Sequence, residues 1–366
     1  MPRPITATVH LSALRANLRR VRALAPASRV WAVVKANAYG HGLLEAMKAF
    51  SEADGLALVE FDGAARLRDA GYARPILMLE GAFDATDVVQ AAAQGLVLVV
   101  HCAEQVDWLA THRGPPVDIY LKLNTGMNRL GMCTDELPGL FSRLAGLGAV
   151  RSVSFMTHFA NADLPGGAQP QMERFERAVA RITSVHALAN SSAIFDLPET
   201  HRDWVRPGIM LYGGSPFGDR TSRELGLQPA MALESRLLSI QSLVPGDAVG
   251  YGSTFIADRS MRIGIVACGY ADGYPRHAPT GTPVAVEGVR TRTVGRVSMD
   301  MLTVDLEPVP QARVGARVEL WGNTIAVDEV AHHAGTIAYE LLCAVAPRVQ
   351  RRVLDDGSAT QDPVRL

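Results

Sequence analysis

Features that mark several classes of protein are missing from this sequence of 366 residues. Its formal net charge of −1 gives no excess of basic residues that would favour nucleic acid or an acidic membrane. No apolar run approaches the ~20 residues of a membrane span, and the N-terminus lacks the apolar core of a signal peptide. The sequence therefore predicts a cytoplasmic protein that binds neither nucleic acid nor membranes.

Cysteine and lysine are both scarce. The four cysteines are Cys102, Cys133, Cys268 and Cys343. They lie far apart and show neither zinc-ligand nor disulfide spacing, so we expect no metal site and a reducing compartment. We expect their side chains to be small buried apolar groups. Of the 36 basic residues, only Lys35, Lys48 and Lys122 are lysines. Arginine does not supply a neutral amine, because its pKa stays above ~12. A lysine nucleophile, if the protein uses one, is therefore one of these three.

The first 213 residues alternate between short apolar runs and stretches with helical spacing. The runs are rich in Val, Ile and Leu, as in buried parallel strands. Eight strand–helix units predict a (β/α)8 TIM-like barrel, with a doubly wound open sheet as the alternative. The predicted strands are residues 31–35, 56–60, 76–80, 96–100, 118–123, 152–158, 185–190 and 209–213.

After about residue 225 the pattern changes to short strands separated by turn signals. A helix is predicted near 326–345, and the polar tail after Pro347 is expected to be loosely held. The chain is thus predicted to be α/β, with a barrel over 9–225 and a mostly β C-terminal domain over 226–366. Residues 1–8 are a candidate extra strand of that second domain. Its predicted strands are residues 243–247, 262–267, 283–288, 290–295, 302–306 and 317–322.

The three lysines differ in their surroundings. Lys48 follows Glu45 on a helical stretch, which favours a solvated pair on the helix surface. Lys122 lies inside an apolar strand, so it points either into the barrel or toward its mouth. Lys35 ends the first predicted strand, before a small glycine-containing turn. The carboxyl ends of strands carry the chemistry of barrels, which favours Lys35 as a nucleophile over a structural or solvated lysine.

Nine ordered segments resemble the bacterial PLP-dependent alanine racemases, from about residue 5 to residue 350. The family fold is a barrel followed by a β-rich domain. One departure is Asn124, where many members have aspartate. The segments are AVVKANAYGHG (32–42), LKLNTGMNRLG (121–131), THFANAD (157–163), ANSSA (189–193), RPGIMLYG (206–213), VGYGSTF (249–255), GYADGYPR (269–276), VGRVSMD (294–300) and AYELL (338–342).

The resemblance implies pyridoxal 5'-phosphate (PLP) as cofactor, bound to Lys35 as a Schiff base. It also implies Arg206 against the pyridine nitrogen. Taken alone, Tyr39 could also be a packing tyrosine and Gly208 an ordinary turn glycine. The implied phosphate contacts are Tyr39, Ser191, Gly208, Ile209 and Tyr339.

The resemblance further implies a two-base mechanism, since racemisation removes a proton from one face of the α-carbon and returns one to the other. Lys35 would act on one face and Tyr251, from a partner subunit, on the other. A histidine matching His158 would bond this tyrosine, and Arg206 would bond the histidine. Taken alone, His158 could be a structural histidine and Arg206 a surface residue.

The substrate side is implied in the same way. Arg129 and Met299 match residues near the substrate carboxylate, and Tyr270 and Arg276 match an access corridor that favours a small side chain. Lys122 is a candidate carbamylated lysine that would hold Arg129, with an unmodified lysine or a nearby chloride as alternatives. Residues contributed by the partner make a homodimer with shared active sites the expected assembly.

The implied activity interconverts L-alanine and D-alanine, either to supply D-alanine for peptidoglycan or to feed alanine catabolism. Three other readings stay open on the residues. They are a racemase that accepts serine or several amino acids, an amino-acid decarboxylase of the same barrel class, and a non-catalytic PLP carrier. The decarboxylases typically carry glutamate where this chain has Arg206, and the carriers are usually a lone barrel.

Overall fold

The computed structural model describes residues 3–355, and they form two compact units. The barrel unit contains Leu18–Ala38 and Gly42–Leu211. Of the described residues, the β unit contains 3–17, Tyr39–His41 and 212–355. In the described part of the chain, no helix has the length and apolar character needed to cross a membrane.

The order of elements begins with strand β1 (Thr6–His10) and helix α1 (Leu11–Leu24). Eight parallel strands then close into a barrel, because the first of them pairs with the last. The predicted barrel is therefore confirmed and the open sheet is excluded. The barrel strands are β2 (Arg29–Val33), β3 (Gly55–Leu58), β4 (Ile76–Met78), β5 (Leu96–Val100), β6 (Val117–Lys122), β7 (Val150–Met156), β8 (His186–Ala187) and β9 (Trp204–Val205).

Helical segments follow the strands. In the helix over Ala85–Gln94, the Asp84 side chain caps the N-terminus by accepting hydrogen bonds from the Thr86 and Asp87 amides, and Gly95 ends the helix with φ of 60°. The segments are α2 (Lys35–Tyr39), α3 (Leu43–Ala49), α4 (Phe61–Asp69), α5 (Ala85–Gln94), α6 (Ala103–Thr111), α7 (Leu137–Ala145), α8 (Gln169–Val179) and α9 (Ser191–Asp196).

Aromatic rings fill part of the barrel interior. Trp31 on β2 stacks on Trp204 on β9 with ring centroids 4.2 Å apart. Trp31 Nε1 donates to the Tyr120 hydroxyl at 3.4 Å. A Cβ at Gly55 would lie 2.2 Å from the Trp31 ring, so the start of β3 has room only for glycine.

The eighth predicted strand, residues 209–213, is wrong. The eighth barrel strand is β9, and Ile209–Tyr212 is a 3₁₀ turn. Ile209 and Leu211 are fully buried, so this turn has the apolar composition of a strand without its pairing. Periodicity does not separate two kinds of fully buried run, and the two residues of β9 are too few to form a recognisable one.

The β unit carries the mostly β C-terminal domain, as predicted. Its helices are α10 (Val327–His333) and α11 (Ala338–Ala344), separated near Gly335, which has φ of 68°. The single helix predicted over 326–345 is thus two. The strands are β10 (Met231–Leu243), β11 (Ala248–Val249), β12 (Phe255–Ile256), β13 (Met261–Val266), β14 (Pro283–Val286), β15 (Val289–Arg292), β16 (Leu302–Asp305), β17 (Arg317–Trp321) and β18 (Gln350–Leu354).

One long strand organises the main sheet, whose order is β15-β14-β17-β10-β1-β18. The first half of β10 pairs with β1 and β17, and its second half pairs with β13, which in turn pairs with β16. The sequence reading missed β10 and instead predicted a strand over 243–247. That segment is a turn, in which the Val244 amide donates to the Asp247 carboxylate at 2.8 Å.

Two smaller expectations also need correction. The tail is not loose throughout, because β18 runs parallel to β1 over five paired positions. The expectation for 356–366, and that for residues 1 and 2, lies outside the described residues.

The expectation that the four cysteines are buried is wrong for three of them. Only Cys268 is buried, whereas Cys133 and Cys343 are exposed and Cys102 is half-buried. The residue type alone does not predict whether a cysteine lies on the buried or the exposed face of its turn or helix.

Candidate active site

A cavity of about 360 Å³ opens at the carboxyl ends of the barrel strands. It brings together Lys35, Lys122, Arg129, His158 and Arg206, which the sequence analysis named separately. The other lining residues are Val59, Leu79, Glu80, Leu130, Met156 and Thr157. Four cations in one cavity suit a ligand with anionic groups.

Lys35 stands at the start of a strained turn. The next four residues, Ala36–Tyr39, all have positive φ, between 51° and 56°, although none is glycine. Each such residue costs ~1–2 kcal/mol in a left-handed helical conformation. The turn is held by the Ala38 amide, which donates to the Val34 carbonyl at 2.9 Å, and by the Asn37 side chain, which accepts from the Leu43 amide at 2.9 Å. Strain of this kind clusters at functional sites.

Arg129 is carried by a loop that returns to the end of β6. The Met132 amide donates to the Lys122 carbonyl at 2.8 Å, which closes the loop. Asn124 organises its interior, since its side chain accepts from the Gly126 and Asn128 amides and donates to the Asn128 side chain. An ionised aspartate at position 124 has no proton to donate to the Asn128 side chain. Asparagine at this position therefore allows a hydrogen bond within the loop that aspartate does not.

Arg206 is a buried cation whose hydrogen bonds go to carbonyl oxygens. Nη2 donates to Thr157 at 2.6 Å and to Leu188 at 3.2 Å, and Nη1 donates to Ala187. Burial lowers the pKa of Arg206 to about 10, so the side chain remains protonated at neutral pH. These acceptors end β7 and β8, and they fix the guanidinium at the base of the cavity.

Lys122 is an unusual lysine. Burial lowers the pKa of its ammonium to about 8, helped by the positive charges of Arg206 and Arg129. The carboxylate of Glu80, which lines the same cavity, acts in the opposite direction. A fraction of Lys122 is therefore a neutral amine near physiological pH.

His158 follows β7 and faces the same cations. Burial, and then the charges of Arg206 and Lys122, lower the pKa of its imidazole well below the usual value. The ring is therefore neutral at physiological pH and free to accept one hydrogen bond through an unprotonated nitrogen. The Gln171 side-chain amide donates to the His158 carbonyl at 3.0 Å and steadies the segment.

The predicted phosphate contacts of the barrel unit lie next to one another. Ser191 begins α9, and its hydroxyl accepts from the Gly208 amide at 2.9 Å. Ile209 follows in the buried 3₁₀ turn. Asn190 accepts from the Ala193 amide and fixes the start of α9. The backbone amides of this region resemble the phosphate-binding loops found late in many barrels.

The other predicted phosphate contacts belong to the β unit. Tyr39 stacks on Tyr212 with ring centroids 4.6 Å apart and lies 5.9 Å from the ring of Tyr339. Burial raises the pKa of the Tyr39 phenol, so its hydroxyl stays a donor. Tyr212, which lies inside the strand predicted over 209–213, is thus a packing partner of Tyr39.

The remaining predicted site residues are exposed and belong to the β unit. Tyr251 is 72% exposed, Met299 54% and Tyr270 38%, and Arg276 is exposed as well. The barrel cavity is lined without them.

Two polar residues of the cavity, Glu80 and Thr157, were not predicted from the sequence. Glu80 is the only carboxylate among the lining residues of the cavity, and Thr157 supplies the carbonyl that holds Arg206. Glu80 ends the predicted strand over 76–80, so the strand-end argument applied to Lys35 could have found it. Thr157 gave no separate signal, because its role depends on a backbone carbonyl.

A lysine-bearing cavity at the carboxyl end of a closed barrel, in a chain with a β-rich unit, defines an enzyme of the barrel class. Residues 9–216 match the family described as "Alanine racemase, N-terminal domain", and residues 230–353 match "Alanine racemase, C-terminal domain". The chain belongs to the alanine racemase family, and it is an isomerase.

Individual relatives agree with this assignment. An alanine racemase from Janthinobacterium sp. (strain Marseille) is 53% identical over 355 residues, which cover 96% of this chain and 99% of the relative. One from Nitrosospira multiformis is 55% identical with the same coverage. The crystal structure of the biosynthetic alanine racemase from Pseudomonas aeruginosa is similar with a TM-score of 0.94, at 47% identity over 96% of this chain and 99% of that one.

Proposed function

We propose that this protein is a PLP-dependent alanine racemase that interconverts L-alanine and D-alanine. The observation that carries the proposal is the barrel cavity in which Lys35, Lys122, Arg129, His158 and Arg206 meet. The names of the relatives at 53% and 55% identity support alanine as the substrate.

The residues fit PLP in two respects. Arg206 is a buried donor that stays protonated, which suits an unprotonated pyridine nitrogen as acceptor. In the barrel unit, Ser191 and Ile209 would supply neutral donors to a phosphate, and the Gly208 amide, which donates to the Ser191 hydroxyl, would hold Ser191 in place. In the β unit, Tyr39 and Tyr339 would offer phenol donors. When bound, PLP supplies an electron sink that stabilises negative charge at the α-carbon of the substrate.

The protein would move two protons. Lys35 would anchor the cofactor and then act as a base on one face of the α-carbon, and Tyr251 of a second copy would act on the other. A free tyrosine has a pKa near 10, so a phenol that works near neutrality needs tuning. Neutral His158 would accept the hydrogen bond of that phenol, with Arg206 as the neighbouring cation.

The substrate carboxylate would be bound by Arg129 and by the Met299 amide of a second copy. Tyr270 and Arg276 would narrow the corridor to a small side chain. The exposure of Tyr251, Tyr270 and Met299 supports a homodimer in which each barrel is completed by its partner. We further propose that the enzyme acts in the cytoplasm, supplying D-alanine for peptidoglycan or feeding alanine catabolism.

Removal of PLP tests the proposed cofactor directly. Protein stripped of cofactor should form no D-alanine from L-alanine, and adding PLP back should restore the activity. Full activity in protein that contains no PLP would contradict the proposal.

Carbamylation of Lys122 is the proposed support for Arg129. The neutral amine nitrogen would attack carbon dioxide and release one proton to solvent, leaving an anion beside the Arg129 guanidinium. Because the pKa of Lys122 is about 8, we expect more carbamate as pH rises from 7 to 9 at constant dissolved carbon dioxide. The racemase activity of enzyme prepared without carbon dioxide should rise when bicarbonate is added. The activity of a Lys122→Met variant should not change. An equal response in the variant would exclude Lys122.

Arg206 is expected to restrain side reactions. An ionised carboxylate at the pyridine nitrogen would accept its proton's hydrogen bond and keep that nitrogen protonated, whereas arginine donates and leaves it neutral. Arg206→Glu should therefore increase transamination relative to racemisation, while Arg206→Lys, which keeps a donor, should not. The measurement is the ratio of pyruvate to D-alanine formed in protein with normal PLP content. An unchanged ratio in Arg206→Glu would count against this role.

A further inference from the structure

The buried carboxylate of Asp272 is linked to the segments that carry Tyr270 and Met299, two residues that the proposed function assigns to the partner-facing surface. Asp272 is fully buried and follows Tyr270 by two residues in a 3₁₀ turn over Tyr270–Asp272. Its Oδ2 accepts from the Gly269 amide and from Arg3 Nη2, each at 3.0 Å, and its Oδ1 accepts from Arg348 Nε at 2.7 Å. The carboxylate thus closes the turn that presents Tyr270 and anchors two arginines distant in sequence.

Arg348 extends this contact to the segment that carries Met299. Its Nη2 donates to Asp300 Oδ1 at 2.5 Å while Nε holds Asp272, so one guanidinium joins two carboxylates. Arg3 makes a similar link, since its Nη2 also donates to the Asp300 carbonyl at 2.8 Å. A planar fork with several donors is required for such a bridge, and lysine does not supply it.

The two segments are also joined through their backbones. The Tyr270 amide donates to the Ser298 carbonyl and the Ala271 amide to the Met299 carbonyl, both at 3.0 Å. A Cβ at Gly269 would lie 2.4 Å from the Met299 carbonyl oxygen, so the segments touch where Gly269 lies. A shift of either segment is therefore transmitted to the other.

We propose that Asp272 and Arg348 are positioning residues that fix Tyr270 and Met299 relative to each other. They do not touch substrate, and their effect reaches it through the corridor wall and the Met299 amide. The assignment rests on the proposed function, in which those two groups bind and select alanine. Since a misplacement of about 1 Å can cost 10²-fold in rate, a rigid base beneath both groups has a direct consequence for substrate binding.

Arg348→Gln is the main test, because Arg348 is 41% exposed and its loss leaves Asp272 with Arg3 as a charged partner. We expect the KM for L-alanine to rise about tenfold, kcat to change less than about threefold, and the preference for alanine over serine to fall. Arg348→Lys keeps the charge but not the bridge, and should share the rise in KM. Asp272→Asn should act in the same direction with a larger loss of Tm.

Arg292→Gln is the matched control. Arg292 is 47% exposed and pairs with buried Asp305, much as Arg348, at 41%, pairs with Asp272. Equal losses of Tm in the two variants, with KM raised only in Arg348→Gln, would support the assignment. Equal KM values in the two variants of an active enzyme would overturn it while leaving the proposed function intact. A wild type that forms no D-alanine would overturn both.

Discussion

Lys35→Ala should lower alanine racemisation by at least about 10³-fold, because general-base catalysis alone contributes ~10²–10⁴-fold and the cofactor anchor is lost as well. The same change should remove the covalent attachment of PLP. Borohydride reduction followed by mass spectrometry of the protein reports that attachment, and a chiral assay reports the rate.

Lys48→Ala provides the control for this experiment. Lys48 lies on α3 near Glu45, and it does not line the cavity. We expect normal racemisation and one covalent PLP after reduction in this variant. A Lys35→Ala protein that still yields a reduced PLP adduct would remove Lys35 from its proposed role.

Tyr251→Phe is expected to have the second large effect. The phenol is the proposed base on the face opposite Lys35, so its loss should lower racemisation by about 10²–10⁴-fold in both directions. PLP content should remain that of the wild type, since the hydroxyl of a 72% exposed side chain is not proposed to bind the cofactor. Steady-state rates from L-alanine and D-alanine, with PLP measured on the same samples, give the comparison.

Tyr274→Phe is the matched control for the loss of a phenol in the β unit. Its hydroxyl is buried, with no hydrogen-bond partner among the described residues, and its ring stacks near Trp321. Removing that hydroxyl should leave activity unchanged. If Tyr251→Phe lost PLP and activity in equal measure, Tyr251 would have a structural role and the second base would have to be sought elsewhere.

The strand-by-strand prediction of the barrel succeeded where a buried run was long enough to show its composition. Most barrel strands, such as β5 and β6, lie close to the runs from which they were predicted. It failed at β9, where two residues complete the barrel and the conspicuous apolar run belongs to the 3₁₀ turn that follows. Closure there is decided by pairing with β2, which is a tertiary property.

The candidate site was also predicted only in part from the sequence. Lys35 was found because strand ends face the chemistry of a barrel, and the cavity lies at that end. The left-handed turn after Lys35 was not foreseen, since alanine and tyrosine rarely adopt positive φ and one asparagine does not predict four such residues in succession. Nor were the carbonyl partners of Arg206, because backbone atoms leave no trace in the sequence. The roles assigned to these residues stay predictions.

The most direct test of the central claim is a chiral assay of the purified protein with PLP, in which L-alanine and L-serine are supplied in parallel. We expect D-alanine at an equilibrium ratio near one to L-alanine, with serine converted far more slowly. Comparable conversion of both would contradict the proposed selection of a small side chain. Formation of neither D-amino acid, in protein that retains PLP, would contradict the proposed activity itself.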